Sequence, residues 1–191
     1  MRKIKEKAAR LRRFPRGRGF GVQSPNDYNF ITKVVKGHID SGCCSETDGI
    51  CDDVHGDNYK FAHLCYRVAQ YLKPSLCMCL MSENENVGSY VRSAVPDVEI
   101  NGNAAFNDVK GRILLIISPI EKYTDYVDSI MKCVSDNVWV IADGIRSNSV
   151  THKYWEQIAA NERSRITFDL YHYGIICFDR KRYKQNYKIY L

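Results

Sequence analysis

A chain of 191 residues with 45% apolar content can bury one sizeable core, and its length favours a single domain over residues 21–191 behind a basic arm at 1–20. Apolar runs such as Ile113 to Ile117 are far too short to cross a bilayer, and the N-terminus lacks the apolar stretch of a signal peptide, so a cytoplasmic protein with no membrane partner is expected. The net charge of +6 resides in the arm, where nine Lys or Arg stand against Glu6 alone, a balance of +8 that leaves residues 21–191 at −2.

Such an arm, Arg2 to Arg18, could hold nucleic-acid phosphates. With Phe14 as its one aromatic between Arg2 and Arg18, it offers little of the stacking platform of single-strand binders, and its simplest reading is a solvated, partly helical tail. Beyond it, Ser24, Pro25 and Asp27 supply an N-cap, a residue suited to the first helical position and a first-turn acid, and Gly37 can end the element. This predicts a helix over about 25–36. Residues 38–57 show neither helical nor strand period and read as an exposed loop. Its Cys43, Cys44, Cys51 and His55 are poorly spaced for zinc, since adjacent cysteines rarely serve as a tetrahedral pair, and exposed reduced thiols are the simpler reading.

Phe61, Leu64, Cys65, Val68, Tyr71 and Leu72 recur at helical spacing up to Lys73-Pro74, and Leu76 to Met81 is the first expected strand. Further strands are read at Val98 to Ile100, Ile113 to Ser118 and Val138 to Ala142, with an intervening helix whose apolar face is Tyr123, Tyr126, Val127, Ile130, Met131 and Val134. Only twelve residues separate Ile100 from Ile113, barely a right-handed crossover and too few to hold another strand as well. Cys65, Cys77, Cys79, Cys133 and Cys177 lie in these apolar segments and read as reduced core thiols. After a helix carrying Trp155, expected to anchor it to the sheet, the run Ile166 to Phe178 reads as an antiparallel hairpin turning near Tyr173-Gly174, where glycine can take positive φ.

A parallel sheet with an acid, Asp143, at a strand's C-terminal end and a closing antiparallel hairpin resembles the Rossmann-like fold of S-adenosylmethionine-dependent methyltransferases. Asp143-Gly144-Ile145-Arg146, Trp155 twelve positions after Asp143, the Asp169-Leu170 to Gly174-Ile175 hairpin, Gly19 to Pro25, and Tyr66 to Pro74 look like a group of small bacterial methyltransferase-like proteins. The likeness spans about residues 16–191 apart from the centre, where a full methyltransferase sheet would fit another strand and helix.

The resemblance places the cofactor loop at Ser82 to Gly88, where the family has an acid followed by two glycines. Here only Gly88 matches, Asn84 carries a side chain where the first glycine belongs, and Glu83 and Glu85 add negative charge. Asn101 falls where the family has the acid that bonds both ribose hydroxyls, and Ser118-Pro119 where it commonly has an Asp. Asp143 remains as the family's candidate catalytic group, and one carboxylate is too little for a bound divalent cation, so no metal is expected. His152 and His172 could move protons, though each reads as a surface or hairpin-turn histidine.

Two functions follow. The chain is a methyltransferase that aligns a small oxygen or nitrogen nucleophile with the S-adenosylmethionine methyl group, or a non-catalytic descendant that binds nucleic acid or protein, with residues 2–18 as a candidate contact. The departures at Asn84, Asn101 and Ser118 favour a degenerate or lost cofactor site.

Overall fold

The computed structural model describes residues 7, 8, 11, 13, 21–37, 57–81, 87–101, 109–133 and 135–191. Ser24 accepts the Asp27 N–H through its hydroxyl (3.3 Å) and caps helix α1 (Pro25–Asn29), with Pro25 in the first turn. The chain continues as a wider π-helical turn, Phe30–Val35, so the expected helix is present with a change of pitch half-way. The turn buries Phe30, Ile31, Val34 and Val35. Helix α2 (Asp57–Leu72) buries Phe61, Leu64, Cys65, Val68 and Leu72, as its apolar period predicts, and ends where Lys73 takes a φ of 47° ahead of Pro74. Tyr71, counted on the same face, is instead 47% exposed and lies edge-on to Phe30.

The remaining elements are β1 (Leu76–Met81), α3 (Val87–Ala94), β2 (Glu99–Ile100), β3 (Ile113–Ser118), α4 (Thr124–Cys133), β4 (Val138–Asp143), α5 (Ser149–Ala160), β5 (Ile166–Asp169), β6 (Tyr173–Cys177) and β7 (Gln185–Lys188). They form one seven-stranded sheet in the order β2-β1-β3-β4-β6-β5-β7. Every neighbouring pair is parallel except the two that involve β6, which runs against both β4 and β5. The architecture is therefore α/β with a mostly parallel sheet and one antiparallel hairpin, compatible with a Rossmann-like fold.

Strand alternation divides the core between the two faces. Leu114, Ile116, Trp139, Ile141 and Phe168 meet Phe30, Ile31, Leu64 and Val68 on one side. Leu115, Ile117, Val140 and Ile176 meet Val127, Ile130, Trp155 and Ile158 on the other. The cysteines follow the expectation where described: Cys65, Cys77 and Cys177 are buried and Cys79 half-buried, all as thiols. Residues 38–56, with Cys43, Cys44, Cys51 and His55, lie outside the described residues, as do Val134 and most of the arm.

One reading needs correction, and two features go beyond the sequence reading. The β5–β6 hairpin turns at residues 170–172, where Tyr171 takes a φ of 80°, rather than at Tyr173-Gly174. Gly174 sits inside β6, paired with Ala142 and Asp169, and the Trp155 ring lies directly on its Cα. The glycine provides clearance for an indole, while Trp155 is the expected anchor at 2% exposure. Secondly, Gln185–Lys188, too polar to read as a strand, extends the sheet as β7, parallel to β5. Thirdly, Asp27 is a buried charge as well as a first-turn acid: it pairs with Arg182 and accepts the Tyr187 hydroxyl at 2.9 Å.

Candidate functional site

Ligands of open α/β sheets bind beyond the C-terminal ends of the parallel strands. Along this rim stand Met81 at the end of β1, Asn101 just after β2, Ser118 at the end of β3 and Asp143 at the end of β4. Ser82 and Asn84 lie outside the described residues. Gly88, in the first turn of α3, has space for a side chain: a Cβ there would meet only the Ile100 side chain at 3.8 Å, an ordinary contact.

Asn101 serves the sheet. Strand β2 is two residues long, and just past it the Asn101 side-chain oxygen accepts the Cys79 N–H at 2.8 Å. Its own N–H donates to the Cys77 carbonyl at 2.8 Å, and its φ of 53° is one that Asn tolerates better than most residues. The amide thus continues the ladder by one rung, and the acceptor that the resemblance assigns to a ribose hydroxyl is already engaged.

Asp143 and Ser118 form a pair. The Ser118 hydroxyl donates to Asp143 Oδ2 at 3.1 Å, and the Gly144 N–H donates to Oδ1 at 2.7 Å, where Gly144 takes a φ of 74°. Ser118 is only 2% exposed. Each carboxylate oxygen therefore accepts a hydrogen bond, an arrangement that holds the carboxylate in place at the rim.

The most strongly built part of the rim lies two strands further along the sheet, at a residue that sequence reasoning named only as part of the hairpin. Asp169, at the end of β5, is 4% exposed and meets two guanidinium groups: Arg146 at 2.5 Å and Arg13 of the arm at 2.9 Å. Burial alone would raise its pKa, but the hydrogen bonds and charges of Arg146 and Arg13 outweigh burial and hold the carboxyl below its ordinary range. The Tyr171 N–H donates to the same carboxylate at 3.0 Å, and the Tyr171 ring lies under both guanidiniums, 5.5 Å from Arg13 and 5.3 Å from Arg146. At this point the arm is docked on the body, contrary to the reading of a wholly solvated tail. The sequence carried one hint: an acid at the end of a buried strand requires a partner, and Arg146 follows the preceding rim acid by three positions.

The histidines flank this cluster. His152, in the first turn of α5, has its pKa lowered by burial and by Arg146, against opposing pulls from Glu156 and Asp169, so it is neutral near pH 7. His172 lies in the hairpin turn, its ring edge-on to Tyr171 at 4.9 Å and its carbonyl accepting the Ile145 N–H. Among the described residues no group of three or more His, Cys, Asp or Glu side chains could hold a metal ion, and no helix is long and apolar enough to cross a membrane. No protein-family model, curated protein or solved structure matches the chain, so the site is read from its own geometry.

Proposed function

We propose that the chain is an S-adenosylmethionine-dependent methyltransferase-like protein whose cofactor site has degenerated, so that the fold is retained without effective methyl transfer. The parallel sheet with an acid at the end of β4 and the reversed β6 between β4 and β5 supports the methyltransferase-like part of this reading. The observation that carries the degenerate site is the Asn101 side chain. A carboxylate could accept the Cys79 N–H with one oxygen and a ribose hydroxyl with the other, both charge-assisted, whereas the neutral Asn101 amide already has its single oxygen on the sheet and can offer a ribose only a weaker, uncharged contact. Asn84 adds bulk in the glycine position of the cofactor loop, and Glu83 and Glu85 would repel the ligand's carboxylate.

Calorimetric titration with S-adenosylmethionine and S-adenosylhomocysteine tests the reading. The unmodified chain is expected to show no micromolar binding, and the double variant Asn84→Gly, Asn101→Asp to gain or strengthen it. Micromolar binding by the unmodified chain would favour the alternative, an active small-molecule O- or N-methyltransferase with Asp143 near the reacting group. If both proteins stay folded and neither binds, the methyltransferase-like assignment loses its support.

A further inference from the structure

The opposite end of β5 carries a second surface, unrelated to the rim. From the Asp179 turn through β7 the chain reads Arg180-Lys181-Arg182-Tyr183-Lys184-Gln185-Asn186-Tyr187-Lys188, five cations and two tyrosines with no acid. Against the first turn of α1 this segment forms a groove of about 540 Å³, within the ~300–1,000 Å³ of small-ligand clefts. Its floor is Ile166, and its walls present Gln23, Asn26, Lys181, Arg182, Tyr183 and Gln185.

We propose that this groove binds a single-stranded polynucleotide, with Tyr183 as the stacking platform and Lys181 as the phosphate contact. Tyr183 is 87% exposed, the most exposed aromatic among the described residues, and so offers both ring faces to a base. Lys181 is exposed and has no carboxylate partner among the described residues, unlike Arg180, which pairs with Asp136 at 2.8 Å. The carboxylate that lines the groove, Asp27, is 2% exposed and neutralised by Arg182, so it presents little negative charge to a phosphate. That buried pair also makes the walls rigid. Tyr187 donates its hydroxyl to Asp27 and stacks on Phe168 at 5.4 Å and 20°, fixing the loop to α1 before any ligand arrives. Three exposed amides, Gln23, Asn26 and Gln185, offer paired donors and acceptors to base edges. Basic residues interleaved with an exposed ring are the combination that single-strand binders use, and single strands present the unpaired bases such a ring can reach. This inference is independent of the cofactor reading.

The competing role for Lys188 and the polar edge is protection of β7 against pairing with other chains, which requires no ligand. Fluorescence anisotropy of the full chain with a labelled uridine twelve-mer, its thymidine DNA counterpart and a duplex of the same length distinguishes the two. We expect micromolar binding of the single strands at about 50 mM salt and weaker binding of the duplex. Tyr183→Ala should weaken it about tenfold, and Lys181→Ala should reduce the slope of log affinity against log salt by about 0.7. Both side chains are exposed, and unchanged melting temperatures show that the fold is intact. A chain with Arg2, Lys3, Lys5 and Lys7 changed to Ser should keep its dependence on Tyr183. Preference for RNA or for DNA identifies the source of the strand. Absence of binding, or binding indifferent to both Tyr183→Ala and Lys181→Glu, overturns the proposal, as does equal displacement by polyglutamate with Tyr183→Ala silent, which would assign the groove to an acidic protein.

Discussion

Replacing Gly174 with alanine tests a single steric contact. In a strand interior alanine would ordinarily be favoured over glycine by about 0.5–1 kcal/mol. Here the new Cβ would lie 2.5 Å from Cζ3 and 2.9 Å from Cζ2 of Trp155, and closer still to Cη2. Neither side can yield cheaply. The indole is 2% exposed and has no flexible end, and β6 is held between β4 and β5. Overpacking of this kind costs about 1–3 kcal/mol, enough to outweigh the strand preference and leave a net loss of about 1 kcal/mol. Urea unfolding followed by circular dichroism should show a lower midpoint with an unchanged slope. Trp155→Phe removes the far ring edge and should cost about 1–2 kcal/mol through the void it leaves. In the double variant the alanine methyl occupies that void, so the two losses should fall short of additivity by about 1–2 kcal/mol. A neutral or stabilising Gly174→Ala, or strictly additive losses, would refute the seating of Trp155 on Gly174.

Asp169→Asn should destabilise the chain by about 3 kcal/mol at pH 7, because two guanidiniums lose their buried counter-charge. The depressed folded pKa of Asp169 makes its contribution fully present above the ordinary carboxylate value, about pH 4, and lost as pH falls further through the folded value. The gap in unfolding free energy between the original and the variant should therefore close under acid, and a gap constant to pH 2.5 would contradict the ion-pair account. Asn101→Gly should cost about 1–2 kcal/mol, the unmet Cys79 N–H, and Asn101→Ala about 1 kcal/mol more, the left-handed backbone; equal losses in the denaturation midpoints would remove the backbone argument. Tyr187→Phe should cost about 1–2 kcal/mol by withdrawing a donor from the buried Asp27 carboxylate, with Tyr183→Phe neutral in the same melts as the exposed control.

The central strands were legible because their signal is dense. Ile113 to Ser118 and Val138 to Ala142 are apolar at successive positions, as strands covered on both faces must be, and the reading extends correctly to Asp143. Strand β7 carries no such signal: Gln185, Asn186 and Lys188 are exposed at the sheet edge, and the strand is defined by hydrogen bonds to β5 rather than by burial. The positions of the rim acids could be read, but their partners could not. Asp169 finds Arg13 across 156 residues and Asp27 finds Arg182 across 155, and no local period encodes a contact at that separation. Gly174 shows the limit from another side, since a glycine needed for clearance looks the same in sequence as one needed for a turn.

Those two ion pairs also constrain how the chain can be made. Phe30 rests on Trp139 and Phe168, Lys36 donates to the Tyr190 carbonyl, and Asp27 waits for Arg182 and Tyr187. An N-terminal segment emerging from the ribosome can first lean on α2, where Arg67 donates to the Val34 and Val35 carbonyls, but its partners on β4, β5 and β7 follow more than a hundred residues later. Until then its apolar stripe of Phe30, Ile31, Val34 and Val35 is covered only in part. Loop closure over more than 150 residues favours a late, slow docking step. Stopping translation before β7 should leave a nascent chain whose first helix is more open to proteases, and that susceptibility should fall once β7 has been added to the sheet.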